Sequence, residues 1–114
     1  MRALPEQSWR LRVYCGESDR HGRMPLHEAV VRAAHDAGLA GATVLRGSMG
    51  FGAANRIHTA RVLRLAEELP VIVELIDDRA HIDAFLPTLR TLATRGLVTL
   101  EPVEVVVQSP PAER

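Results

Sequence analysis

Apolar and polar positions alternate along Trp9-Arg10-Leu11-Arg12-Val13-Tyr14-Cys15, the two-residue period of a half-buried strand. A polar loop follows, Gly16 to Met24, and then the period lengthens. Leu26, Ala29, Val30, Ala33, Ala34 and Ala37 recur at helical spacing, Pro25 suits the first turn, and Gly38 is placed to stop the helix. Ala42 to Leu45 begins a second strand that runs into a glycine-bearing loop. The stretch Ile57 to Leu69 stays ambiguous, because Val62, Leu63, Leu65 and Leu69 suit either a short strand or a helical turn. Pro70 closes it, and Val71 to Ile76 reads as a strand apolar on both faces except at Glu74. Asp77-Asp78 can cap a second helix with the stripe Ile82, Phe85, Leu86, Leu89, Leu92 and Ala93, ended by Gly96. Leu97 to Leu100 and Val103 to Val107 are β-prone and divided by Glu101-Pro102, which predicts an extra C-terminal strand.

The order is β-α-β, a long loop, then β-α-β. That pattern predicts an α+β fold, the ferredoxin-like βαββαβ sandwich, with the extra strand appended. The domain is expected over residues 9–108, with a flexible leader at 1–8 and a frayed tail at 109–114. Two helices would cover one sheet face, and the other is expected to be too apolar to meet water. Oligomerisation is the natural remedy.

Composition narrows the function classes. A chain of 114 residues can bury one core without disulfides or a structural metal. Trp9, Tyr14, Phe51 and Phe85 are the only aromatics, so the core falls to Val, Leu, Ile and Ala. The formal net charge is zero with no block of one sign, which removes the electrostatic footprint of a nucleic-acid binder. Lysine is absent and every basic residue is arginine, so a bound anion must be held by arginine, backbone N–H groups or histidine. Cys15 is alone and can form no internal disulfide. No secretory or membrane-spanning run is present, which predicts a cytoplasmic protein without direct membrane insertion.

"GES", "GLAGATVLRG", "GFG", "IHT" and "ELPVIVEL" occur here in that order between Arg10 and Val107. In this the chain resembles the PII-like family catalogued as domain of unknown function 190, and more distantly the PII signal-transduction proteins. The resemblance implies a ferredoxin-like subunit, a homotrimer and a ligand cleft between neighbouring subunits. It also implies a regulatory role, with a mobile loop presented to a partner. A membrane transport or channel protein is the implied target, since the family is associated with fluoride-channel proteins. Gly50-Phe51-Gly52 and His58-Thr59 match the start of the PII T-loop and its His-Thr pair. In one respect the chain departs from PII proteins. Their phosphate-holding loop carries glycine and lysine, whereas here the matching junction, Leu92 to Leu100, is short and lysine-free, with Arg95 and Gly96 as the only stand-ins.

The candidate ligand-binding residues are Glu17, Arg46, Gly47, Gly50, Phe51, Gly52, Arg56, His58, Thr59 and Glu74. Glycines permit positive φ and close backbone approach, so their N–H groups can form an anion nest; plain loop flexibility is the alternative. Arg46 and Arg56 flank the loop and can grip a phosphate or carboxylate, or stand as solvated surface arginines. His58 can donate to an anion or be satisfied by a backbone carbonyl. Glu17 can accept from a ribose or base, or equally can cap or pair with Arg20. Glu74 needs a partner in its strand, either at a site or in a structural ion pair. An adenine nucleotide is the ligand the resemblance points to, with no cofactor certain. His21, His27, His35 and His81 show no metal spacing with Cys15, and no nucleophile–base set is present, so neither a metal site nor catalysis is expected. The rival readings are a ligand-free interaction trimer and a metal-binding trimer like CutA.

Overall fold

Four long segments with a two-residue period pair into one antiparallel sheet in the computed structural model, which describes residues 2–52, 58–59, 69–94 and 96–109. The elements are β1 (Gln7–Gly16), α1 (Leu26–Asp36), β2 (Gly41–Arg46), β3 (Pro70–Asp77), α2 (Arg79–Leu92) and β4 (Leu97–Glu104). The sheet order is β2-β3-β1-β4, the ferredoxin-like arrangement expected from the sequence. Register places Leu11 opposite Leu75, Val13 opposite Val73, and Cys15 opposite Val71. These residues face the helices, and Leu11, Val13, Val71, Val73 and Leu75 are fully buried. From α1 come Leu26, Ala29, Val30 and Ala34, and from α2 Ile82, Phe85 and Leu89. Fully burying such aliphatic or aromatic side chains stabilises by about 1.5–3 kcal/mol each, so this layer carries the fold.

Helix ends follow their sequence signals. Gly38 takes φ +78 after α1, and the amides of Ala37, Gly38 and Leu39 close back onto Ala33, His35 and Ala34 carbonyls. The Asp78 side chain accepts the His81 N–H at 2.8 Å and caps α2. Pro87 lies inside α2, where it removes one backbone bond; burial of Ile82, Phe85 and Leu89 around it holds the helix.

The structure differs from the sequence expectations at the last strand. β4 is continuous through Glu101-Pro102, and no extra strand follows it among the described residues. β4 is an edge strand, and an edge tolerates proline because one row of its backbone groups has no strand partner anyway. The segment ahead of β1 is fastened at several points: the Gln108 side chain accepts from Leu4 N–H at 2.6 Å and donates to the Arg2 carbonyl at 2.9 Å. Arg2 in turn pairs with Asp77 at 2.7 Å. Of the tail expected at 109–114, only Ser109 is described.

The helix-free face is banded instead of uniformly apolar. Register aligns Leu45, Ile72, Tyr14 and Leu97 in one row across the strands. The next row is Thr43, Glu74, Arg12 and Thr99, with Arg12 Nη2 at 2.7 Å from Glu74 Oε2. A third holds Ile76 beside Arg10, which pairs with Glu101 at 2.7 Å. Arginines on the alternate positions of β1 place charge on a face that the apolar count of β3 alone had predicted to be dry.

Candidate functional site

Three chain segments meet where β1 and β2 end and β3 begins. Gly16 pairs with Pro70, and Arg46 pairs with Val71. The Glu17 N–H donates to the Leu69 carbonyl at 2.8 Å, and the Gly47 N–H donates to the Pro70 carbonyl at 2.8 Å. A tight turn follows β1: the Asp19 N–H reaches the Gly16 carbonyl at 3.1 Å, and the Gly16 N–H reaches Asp19 Oδ2 at 2.8 Å. At this corner Arg46 Nη1 donates to Glu17 Oε1 in an ion pair. The Glu17 side chain is only 18% exposed, while that of Arg46 is 57% exposed. Glu17 therefore meets Arg46, and not Arg20, whose guanidinium bonds the Arg23 carbonyl.

Gly47 and Gly50 serve proximity. A Cβ at Gly47 would lie 2.7 Å from Pro70 Cγ, and one at Gly50 would lie 3.0 Å from it. Neither they nor Gly52 adopt positive φ; that conformation belongs to Gly22, Gly38 and Gly96. A backbone anion nest needs a left-handed residue in its run, so these three glycines do not build one. The loop instead folds its base hard against Pro70. Its ends then pair, Met49 with Thr59 and Gly50 with His58, which brings the backbone of the His-Thr dipeptide beside the Gly-Phe-Gly segment. Phe51 is 66% exposed and Met49 61% exposed, an apolar tip next to the corner. Arg56 and Arg95 lie outside the described residues.

Glu74 sits elsewhere. It belongs to the helix-free face, while Arg46, opposite Val71, has the opposite parity on the sheet. Its partner is Arg12, at 2.8 Å through Nε, which is the structural ion pair weighed for it. The hydrogen bond that Arg12 donates to Glu74, followed by hydrogen bonding with Tyr14, raises the Arg12 pKa still further. Gly96 also has a backbone reason: φ is +92, and a Cβ there would lie 2.5 Å from the Tyr14 carbonyl oxygen.

The spacing of residues did not mark a second charged cluster, at the far end of β3. Asp77 has no exposure and accepts both Arg2 Nη groups, at 2.8 and 2.7 Å, plus the amides of Ala40 at 2.9 Å and Asp78 at 2.7 Å. Burial pushes its carboxyl upward, but the Arg2 and backbone hydrogen bonds outweigh that and hold it below the usual range. Asp77, Asp78 and His81 offer ligand atoms within 4.8 Å of one another, a grouping that a search for His–Cys spacing misses. The Arg2 guanidinium already reaches both carboxylates of that cluster, Asp77 at 2.7 Å and Asp78 at 3.4 Å. Cys15, near the opposite corner, is a half-buried thiol pushed up to about 11 by burial and by the Asp19 and Glu17 charges.

Among the described residues, then, the structure brings Glu17, Arg46, Gly47 and Gly50 to one corner and separates Glu74 from them. The corner presents an accessible guanidinium with several N–H donors in a planar fork, suited to a phosphate or carboxylate. No described helix is long and apolar enough to cross a membrane.

Comparison with known proteins agrees with this architecture. The DUF190 family model, described as Uncharacterized ACR, matches residues 8–105. A UPF0166 protein of Aquifex aeolicus (strain VF5) is 35% identical over 96 residues, covering 84% of this chain and 90% of its own length. A PII-like signaling protein from Thermus thermophilus superposes with a TM-score of 0.65 at 16% identity, covering 88% of this chain and 90% of that one. CPII, a nitrogen regulatory PII-like protein from Thiomonas intermedia K12 bound to ADP, AMP and bicarbonate, superposes with a TM-score of 0.59 at 13% identity. That match covers 87% of this chain and 88% of CPII. At such identities the solved structures establish the fold.

Proposed function

The chain belongs to the DUF190 family and has the PII-like fold, and from that premise we propose that it is a regulatory module of the cytoplasm. In this reading it is a homotrimer that binds a small phosphate- or carboxylate-bearing ligand at the Arg46 corner. An adenine nucleotide is the first candidate. The observation that carries the reading is the exposed Arg46 guanidinium at the foot of a loop whose Gly47 and Gly50 are packed against Pro70. An anion there touches the end of β2 and the loop base together, so it can bias the loop between two states and change what the loop presents to a partner. A membrane transport or channel protein is the target class implied by the family likeness. The trimer is supported by the row Leu45, Ile72, Tyr14 and Leu97, with Leu45 43% and Leu97 58% exposed in the single chain.

A ligand-free interaction trimer is the rival, and one observation favours it: the Gly47 N–H is already taken by Pro70, and none of Gly47, Gly50 and Gly52 adopts positive φ. Light scattering at micromolar concentration, followed by thermal unfolding with and without ADP, separates the two. The proposed module gives a trimer mass and a melting temperature that rises with ADP, because a ligand of the native state stabilises it by mass action. A trimer indifferent to ADP, AMP and other small anions supports the rival, and a monomer contradicts both.

A further inference from the structure

We propose that Glu17 is a built-in competitor at the anion site: its carboxylate holds the Arg46 guanidinium in the free protein, and a phosphate- or carboxylate-bearing ligand binds by taking Arg46 from it. This rests on the reading of Arg46 as the anion anchor. Sequence alone suggests Glu17 as an acceptor for a ribose or base, and the geometry reverses that role.

The competitor is delivered by a rigid turn. Backbone hydrogen bonds from Glu17 to Leu69 and across Gly16–Asp19 fix its backbone before the side chain makes any contact. The pair is then asymmetric: Glu17 lies inside at 18% exposure and Arg46 outside at 57%. A ligand arriving from solvent therefore meets the cation first, with the carboxylate behind it. Nor is the carboxylate fully satisfied in that position. Glu17 Oε2 is shielded from solvent and accepts no hydrogen bond among the described residues. Turning outward recovers that missing bond from water, which offsets part of the loss of Arg46. With an anion on Arg46, the inward Glu17 would face a like charge, so the two occupancies exclude each other.

Calorimetric titration of the full chain with ADP and with inorganic pyrophosphate tests the inference, using wild type, Glu17→Gln, Glu17→Ala and the double variant Glu17→Gln/Arg46→Gln. Removing the competitor is expected to tighten both probes by about three- to tenfold, the range set by a partly exposed ion pair plus one relieved repulsion. Both Glu17 variants should move in the same direction, and the gain should vanish in the double variant. Binding by Glu17→Gln where wild type gives no heat also supports it. Weaker ADP binding with unchanged pyrophosphate binding would overturn it and restore Glu17 as a ribose or base acceptor. Equal affinities in wild type and both Glu17 variants would overturn it while leaving Arg46 as an anion site. No heat with any variant would overturn both.

Discussion

At the Asp77 end of β3 the Arg2 guanidinium lies against a carboxylate with no exposure, and two backbone amides share the same oxygens. At the Pro70 end, about 23 Å away at the usual strand rise, Arg46 meets Glu17 through one oxygen while the other oxygen accepts nothing among the described residues. Both are arginine–carboxylate pairs joining distant parts of the chain. What separates them is how completely the acceptor is satisfied. A saturated buried carboxylate fixes the leader, the β2 entry and the α2 cap in one arrangement. A half-satisfied one leaves an arginine that a ligand can claim.

The largest expected effect falls on the saturated end. Asp77→Ala should lower unfolding free energy by about 2–4 kcal/mol in urea denaturation, because it leaves Arg2 and two backbone donors without their acceptor. Loss of less than about 0.5 kcal/mol would erase the contrast between the ends. Next comes Gly96→Ala, expected to cost about 1–3 kcal/mol from left-handed strain, with a further clash against the Tyr14 carbonyl. Full stability in that variant would mean the junction can relax away from β1.

A pH series sharpens the same comparison. The folded carboxyl of Asp77 lies below its ordinary value, so its stabilisation is complete above the unfolded pKa of about 3.9 and is lost as pH falls through the folded value. Asp78, held down by the His81 N–H and then its ring, has the same sign. Thermal unfolding should thus show the gap between wild type and Asp77→Asn constant from pH 7 to about 5 and shrinking below about 4. A gap that widens on acidification would contradict the assignment. A smaller chemical effect is expected near the other end. With its thiol raised to about 11, Cys15 should react with iodoacetamide at pH 8 roughly a hundredfold more slowly than an unperturbed cysteine. Glu17→Gln should recover part of that rate.

Most of the fold was legible because two periods alternate cleanly along the chain. The Trp9 to Cys15 alternation and the α1 and α2 stripes fall within a residue or two of the observed elements. The extra strand was misread because Pro102 looks like a break unless the strand is known to lie at an edge. Asp77 was legible in part: Val71, Val73, Leu75 and Asp77 share one parity, so the buried face runs straight into an aspartate. Read only as a helix cap, it hid its real demand for a cation. Arg2 as that cation, 75 residues away, leaves no local trace. The Glu17–Arg46 pair was half visible, since both residues were candidates but their meeting depends on sheet order. The Glu74 partner was not legible, because a strand pattern gives parity and cannot show which neighbour faces it; Arg12 does.

The central claim is that the Arg46 corner binds an anion without holding the fold together. Titrating ADP calorimetrically into wild type and Arg46→Ala, with urea denaturation of both, tests it most directly. The account predicts stabilities within about 1 kcal/mol of each other, as for exposed ion pairs. It predicts an affinity loss of about 1.5–3 kcal/mol, roughly ten- to a hundredfold, from the missing charge-assisted contact. Equal ADP affinity in the two proteins, or an Arg46→Ala chain that unfolds as readily as Asp77→Ala, would contradict it.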